Sequence, residues 1–235
     1  MNDLTLHLNK LHTTQLGEER IRRNLNLQAN DVVWWCKEAV MRTSSIIKKG
    51  KNWYVYWDGA VITVNAHSYT IITAHIISAN FRIMREEDYE CLPEFLYHAI
   101  FIPKGTEPPP RSIISAPEIL IYIQDFGSGP GDLGVVAAQN GQIIGAAWTR
   151  IVPAYGHIDN QTPELAVSIL PELRGRGLGT RLIKKLFEIL QENGYRQTSL
   201  SVQKDNPAVR FYKRLGYEII AKQSNHEDYI MLKKL

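Results

Sequence analysis

The sequence predicts an α+β chain in two parts: a small N-terminal α+β domain with a β-hairpin over residues 1–78, and a larger domain over 79–235 where helices alternate with strands. Three observations carry this expectation. Asp58-Gly59 separates the alternating runs Trp53–Trp57 and Ala60–Asn65, and Asn140-Gly141 separates Leu133–Ala138 from Ile143–Ile151. Both dipeptides tolerate the positive φ angles that a type I′ hairpin turn requires. The strand Glu164–Leu170 leads through a glycine-rich turn into a long helix with Leu178, Leu182, Ile183, Leu186 and Leu190 on one side.

In chain order, a short helix is expected over Leu16–Leu25, with Leu16, Ile21 and Leu25 on its apolar side. Asp31 suits an N-cap for a second helix whose stripe is Val32, Trp35, Cys36, Ala39 and Val40. The hairpin comes next, and the β-branched run Tyr69–Thr73 adds a strand or packs on it. Phe81–Met84 reads as a strand and Glu87–Ala99 as a helix that Pro93 kinks or restarts. A proline-rich loop through Pro103 and Pro108–Pro110 precedes a helix over Pro117–Gln124. After the second hairpin and the long helix, which Gly194 stops, Thr198–Val202 is a strand and Pro207–Leu215 a helix. Tyr217–Ala221 and Tyr229–Leu232 close the chain as strands.

Composition narrows the function classes. Apolar residues make up 44% and charged residues 22%, an ordinary globular balance. No apolar run approaches the roughly 20 residues of a membrane span, and Met1–Lys10 lacks the order of a signal peptide. A cytoplasmic location without membrane contact is the expectation. Cys36 and Cys91 share no metal-ligand spacing and read as buried reduced thiols, so no metal is expected. The net charge of +3 arises in residues 1–78, which hold nine Lys/Arg against six Asp/Glu. That excess is too small to demand a nucleic-acid partner. Lys48, Lys49 and Lys51 beside Trp53, Tyr54 and Tyr56 offer the one basic and aromatic surface suited to RNA, although hairpin aromatics also serve as core and cross-strand pairs.

The turn Arg174-Gly175-Arg176-Gly177-Leu178-Gly179-Thr180 carries the chemistry. Its alternate glycines let a ligand approach the backbone closely, and the following helix start adds unpaired N–H donors and a positive dipole end. Arg174 and Arg176 add cations, completing the parts of a pyrophosphate site. A dinucleotide fingerprint would need glycine where Thr180 stands, and no Walker pattern is present. Arg174-x-x-Gly177-x-Gly179 resembles the [QR]-x-x-G-x-[GA] turn of the GNAT acetyltransferase superfamily. Asn206 with Phe211-Tyr212-x-x-x-Gly216-Tyr217 resembles that superfamily's second signature.

This resemblance, covering about two-thirds of the chain, implies the GNAT fold for residues 79–235: a mixed, mostly antiparallel sheet flanked by helices. It implies acetyl-CoA as cosubstrate and an amine-bearing acceptor, with the pyrophosphate on Arg174–Thr180, Asn206 beside the pantetheine arm and Ile169 contacting it. The N–H of Val167 becomes the donor to the thioester oxygen, and Tyr212 the donor to the departing thiolate. A phenol near pKa 10 facing a thiol near 8.5 leaves a mismatch of about 2 kcal/mol for full transfer. Tyr212 also suits a core aromatic on an amphipathic helix. For the general base, Glu164 and His157 are the candidates. The superfamily's commonest carboxylate position falls on Pro163, which puts Glu164 one residue out of register and on the other face of its strand. A homodimer is compatible with the pattern, and a non-catalytic acyl-CoA-binding adaptor is the alternative to an enzyme.

The N-terminal stretch from Leu11-His12-Thr13-Thr14 through Lys51-Asn52-Trp53-Tyr54-Val55 to Ala66-His67-Ser68-Tyr69-Thr70 resembles a small bacterial domain family without an assigned activity. It implies a domain boundary and an accessory role.

Overall fold

The computed structural model describes residues 3–235 apart from 28, 30, 44, 58, 78 and 221–226. It falls into two compact units, Met1–Ala79 with Leu173–Arg181, and Asn80–Glu172 with Leu182–Leu235.

In the first unit, α1 (Asp3–Leu6), α2 (Gln15–Leu25) and α3 (Val32–Arg42) precede an antiparallel meander of β1 (Ser45–Lys49), β2 (Asn52–Trp57), β3 (Ala60–Asn65) and β4 (Ile71–Ile76). Side-chain caps start both longer helices: Thr14 accepts from the Gly17 N–H at 3.1 Å and Asp31 from the Trp34 N–H at 2.9 Å. The expected stripe of α3 is buried at Val32, Cys36, Ala39 and Val40, against Ile21, Val55, Ile62 and Ile71. Burial pushes the Cys36 thiol up to about 12, keeping it protonated and inert.

The hairpin pairs Trp57 with Ala60, and Gly59 takes φ +75° as the turn demands; Asp58 lies outside the described residues. Two features differ from expectation. Strand β4 begins at Ile71 because Tyr69 adopts φ +58°, in a turn where the Asn65 side chain accepts from the N–H groups of His67 and Ser68. Ser45–Lys49 forms an unanticipated strand that places Lys48 opposite Trp53, its ammonium 5.1 Å from the indole ring. Trp53 is buried in the core of this unit.

The second unit contains a seven-stranded sheet in the order β10-β11-β9-β8-β7-β6-β5. Its strands are β5 (Asn80–Ile83), β6 (Leu133–Gln139), β7 (Gln142–Arg150), β8 (Glu164–Ile169), β9 (Gln197–Gln203), β10 (Glu218–Ile219) and β11 (Asp228–Lys234). The helices that follow are α4 (Leu92–Ala99), α5 (Pro117–Leu120), α6 (Leu178–Glu192), which enters this unit at Leu182, and α7 (Ala208–Arg214). All pairs are antiparallel except β8 and β9, which run parallel and meet at a single register point, Glu164 with Ser199. The mixed, mostly antiparallel sheet is therefore present as expected.

Pro93 restarts the helix, a 3₁₀ turn over Glu86–Cys91 giving way to α4. The helix expected over Pro117–Gln124 stops at Leu120. The reason lies on β7: Trp148 Nε1 donates to the Tyr122 carbonyl at 2.9 Å, and the Arg150 guanidinium donates to those of Ile121, at 3.0 Å, and Gln124. Strand side chains draw these carbonyls out of a helical ladder. Ala221, at the end of the strand expected from Tyr217, lies outside the described residues; the described strand is Glu218–Ile219.

Candidate active site

Side chains alternate along β8. Ala166, opposite Trp148 in the register, packs against the cluster that contains Phe95 and Leu96, and Ser168 donates to the Phe95 carbonyl at 2.6 Å, so even-numbered residues face α4. Ile169 points the other way, towards Leu182 of α6; a Cβ on Gly145 would meet both side chains. The backbone alternates with equal consequence. Leu170 N–H donates to Ile144 of β7, while the Pro163 carbonyl accepts from Ser199 of β9. Odd-numbered N–H groups, Val167 included, are thereby directed to the β9 side, where the two strands share only one register pair. This is the orientation an oxyanion donor on β8 requires.

Glu164 lies on the α4 face, opposite the side of the Val167 side chain, as its parity implies. It is only 4% exposed. Its Oε1 accepts from the Tyr122 hydroxyl at 2.6 Å and from the Gly156 N–H at 2.8 Å. The Tyr122 hydroxyl in turn accepts from the Tyr155 N–H at 3.2 Å. Glu164 Oε2 and Ser199 Oγ are buried and find no hydrogen-bond partner among the described residues. Burial penalises the carboxylate more than these two donors stabilise it, and the pKa rises to about 7. Burial and the neighbouring Glu164 charge both push the Tyr122 phenol upwards, fixing it as a donor. Gly156 has no room for a side chain: a Cβ would stand 2.6 Å from both Glu164 Oε1 and the Ser201 nitrogen.

The other candidates sit as follows. His157 donates its backbone N–H to Ala154, and no hydrogen bond among the described residues joins its ring to Glu164. Tyr212 on α7 packs its ring 5.3 Å from Phe211 and 5.8 Å from Tyr217. Burial raises its phenol to about 12. The mismatch with a thiol near 8.5 then grows to about 5 kcal/mol, so Tyr212 suits hydrogen-bond donation better than full proton transfer. Asn206 accepts from the Ala208 N–H at 2.9 Å and lines an open cavity with Lys204, Arg210, Lys213 and Tyr229.

In the first unit, the turn after Pro171–Leu173 places Gly175 at φ +72° and Gly177 at φ +78°, on either side of Arg176. Such alternation turns successive N–H groups to one side, the geometry of an anion-binding nest. The Arg176 guanidinium lies 5.9 Å from the Tyr56 ring, and Arg181 donates to the Ile77 carbonyl at 3.4 Å. Leu178 is buried, while Gly179 and Thr180 are partly exposed.

Sequence reasoning missed Tyr122 and Gly156. Neither stands in a motif, and Tyr122 lies beyond the true end of α5, where helical periodicity carries no signal. Among the described residues no group of metal-ligating side chains and no helix able to cross a membrane is found.

Residues 5–75 match the family described as "Protein of unknown function (DUF3781)", and residues 96–217 the one described as "Acetyltransferase (GNAT) family". Glucosamine 6-phosphate N-acetyltransferase of Trypanosoma brucei brucei is 31% identical over 158 residues, 63% of this chain and 95% of that protein. Mycothiol acetyltransferase of Corynebacterium jeikeium (strain K411) is 32% identical over 114 residues, 43% of this chain, and the match spans 33% of that protein's length. Among solved structures, the GNAT domain of S. lividans PAT aligns with a TM-score of 0.49 at 18% identity, over 67% of this chain and 90% of that one. With the match to residues 96–217 covering more than half its length, the chain belongs to the GNAT acetyltransferase family.

Proposed function

We propose that this chain transfers an acetyl group from acetyl-CoA to a primary amine on a small molecule, peptide or protein by direct attack on the thioester. Catalysis is assigned to residues 79–235 and an accessory role to 1–78. The observation that carries the reading is Glu164, a buried carboxylate whose pKa of about 7 suits it to taking a proton near neutrality. An alkylammonium of pKa about 10 must lose a proton before its nitrogen can attack. Glu164, whose Oε2 is buried, takes that proton through an intervening water rather than by direct contact. The nitrogen lone pair then forms the C–N bond, the C–S bond breaks, and the nitrogen's second proton passes to the departing thiolate, which Tyr212 steadies with a hydrogen bond. The Val167 N–H stabilises the charge that develops on the thioester oxygen. The Arg174–Thr180 turn holds the CoA diphosphate, Asn206 and Ile169 the pantetheine, and His157 is the second candidate for the proton-accepting role.

Calorimetric titration with acetyl-CoA and CoA, followed by thiol release with small amines, peptides and polyamines, tests this reading. Binding in the micromolar range with turnover supports it. Absence of binding at tens of micromolar overturns it, and binding without turnover assigns the chain to a non-catalytic adaptor. Tyr212→Phe is expected to lower kcat about 10-fold or more while leaving the Kd for acetyl-CoA within about 2-fold, since one hydrogen bond to a charged group contributes on the order of 1.5–3 kcal/mol. An equal loss of affinity would make Tyr212 a packing residue.

A further inference from the structure

Arg150 and Glu164 are directly opposed across β7 and β8, so their side chains leave the sheet on the same face. A buried arginine beside a buried glutamate ordinarily forms an ion pair. Here it does not. The Arg150 guanidinium is turned to Asp132, with Nε to Oδ1 at 2.9 Å and a terminal nitrogen to Oδ2 at 3.0 Å, and both side chains are nearly inaccessible. Asp132 is held in place by the N–H groups of Gly127 and Gly129, at 2.9 and 3.0 Å. The remaining guanidinium donors take the carbonyls of Ile121, Gln124 and Asp125. Those carbonyls flank Tyr122, the residue whose hydroxyl holds Glu164.

We propose that Asp132 is a positioning residue for the acetyl-transfer reaction: by binding Arg150 it withholds a cation from Glu164 and makes the same arginine pin the segment that presents Tyr122. The inference rests on Glu164 being the base. A base paired with arginine would be ionised well below neutrality and too weak to take a proton from an ammonium group. The other charged and titratable groups around Glu164 leave this balance to Arg150. Tyr122 faces it as a neutral donor. From α4, Glu94 and His98 pair with each other, and Glu94 with Arg111. On the preceding loop, Asp159 accepts from the Gln161 N–H, and the His157 ring has no hydrogen bond to Glu164 among the described residues. Strand β9 contributes Ser199 and the Ser201 backbone, which carry no charge.

The experiment is Asp132→Asn, which keeps the shape and removes the charge. With Arg150 released, the acid limb of the kcat/KM–pH profile is expected to move down by at least one pH unit, with a fall in the plateau rate of about 10-fold. In the double variant Asp132→Asn/Arg150→Met the limb should return to within about half a unit of wild type, an outcome that simple loosening of the loop would not produce. Titrating the Glu164 carboxyl by carbon NMR in the same proteins reads the effect without turnover. An unmoved Glu164 titration in Asp132→Asn overturns the proposal. A moved titration with an unmoved kinetic limb leaves Arg150 withheld from Glu164 and overturns Glu164 as the base instead.

Discussion

Glu164→Gln is expected to lower kcat/KM by about 10²- to 10⁴-fold, the usual contribution of a positioned general base, while leaving acetyl-CoA affinity nearly unchanged. In the wild type, kcat/KM should rise with pH through a limb near 7, because Glu164 must lose its proton to act. The same group shapes stability. Its folded pKa lies above the ordinary carboxyl value of 4.5, so between these two values the native state binds more protons than the unfolded chain. Stability therefore falls as pH rises from about 4.5, by roughly 3 kcal/mol once pH exceeds 7. The Gln variant should lack this component. Denaturant midpoints from pH 4.5 to 8 measure it, and parallel curves for the two proteins would remove Glu164 from the role of buried, proton-binding base.

Gly156→Ala should be the second most damaging change. The new methyl would lie 2.6 Å from the Ser201 nitrogen, which is backbone and cannot swing aside, and as close to Glu164 Oε1. The loop has to retreat, and the Gly156 N–H bond to the carboxylate goes with it. A hydrogen bond to a charged group contributes about 1.5–3 kcal/mol, equivalent to about one to two pH units. The acid limb should thus shift upwards by that amount and activity at pH 7 fall about 5- to 50-fold, since half of the wild-type carboxyl is ionised there. Displacement of this limb opposes that expected for Asp132→Asn, so the two variants together bracket Glu164 from both sides. An unmoved limb in Gly156→Ala would mean that the glycine is retained for chain packing alone.

Much of the architecture was legible because it depends on local signals. Thr14 and Asp31 cap helices, Gly59 and Gly141 take positive φ in hairpin turns, and Pro93 interrupts a helix where its ring must. The glycine and arginine spacing at Arg174–Gly179 and the Asn206/Tyr212 pair are likewise contiguous patterns. What escaped the sequence depends on partners distant along the chain. Glu164 lies on the strand face that its register implies; its surroundings come from Tyr122, 42 residues earlier, and from the tight backbone at Gly156. Strand β1 was hidden because Lys48 and Lys49 resemble a solvated charge run until Lys48 is seen opposite Trp53. The end of α5 is set by side chains of β7, about 25 residues later, and no helix propensity records that.

Trp148 has a practical meaning beyond packing. The other tryptophans, Trp34, Trp35, Trp53 and Trp57, all fall before residue 80, so this is the sole indole of the strand-rich part. Wholly dry, and tethered to the carbonyl of the residue that grips Glu164, it is a native fluorophore set beside the proposed base. Its emission, isolated as the difference between wild type and Trp148→Phe, turns each displacement of that segment into an optical signal, with no label attached.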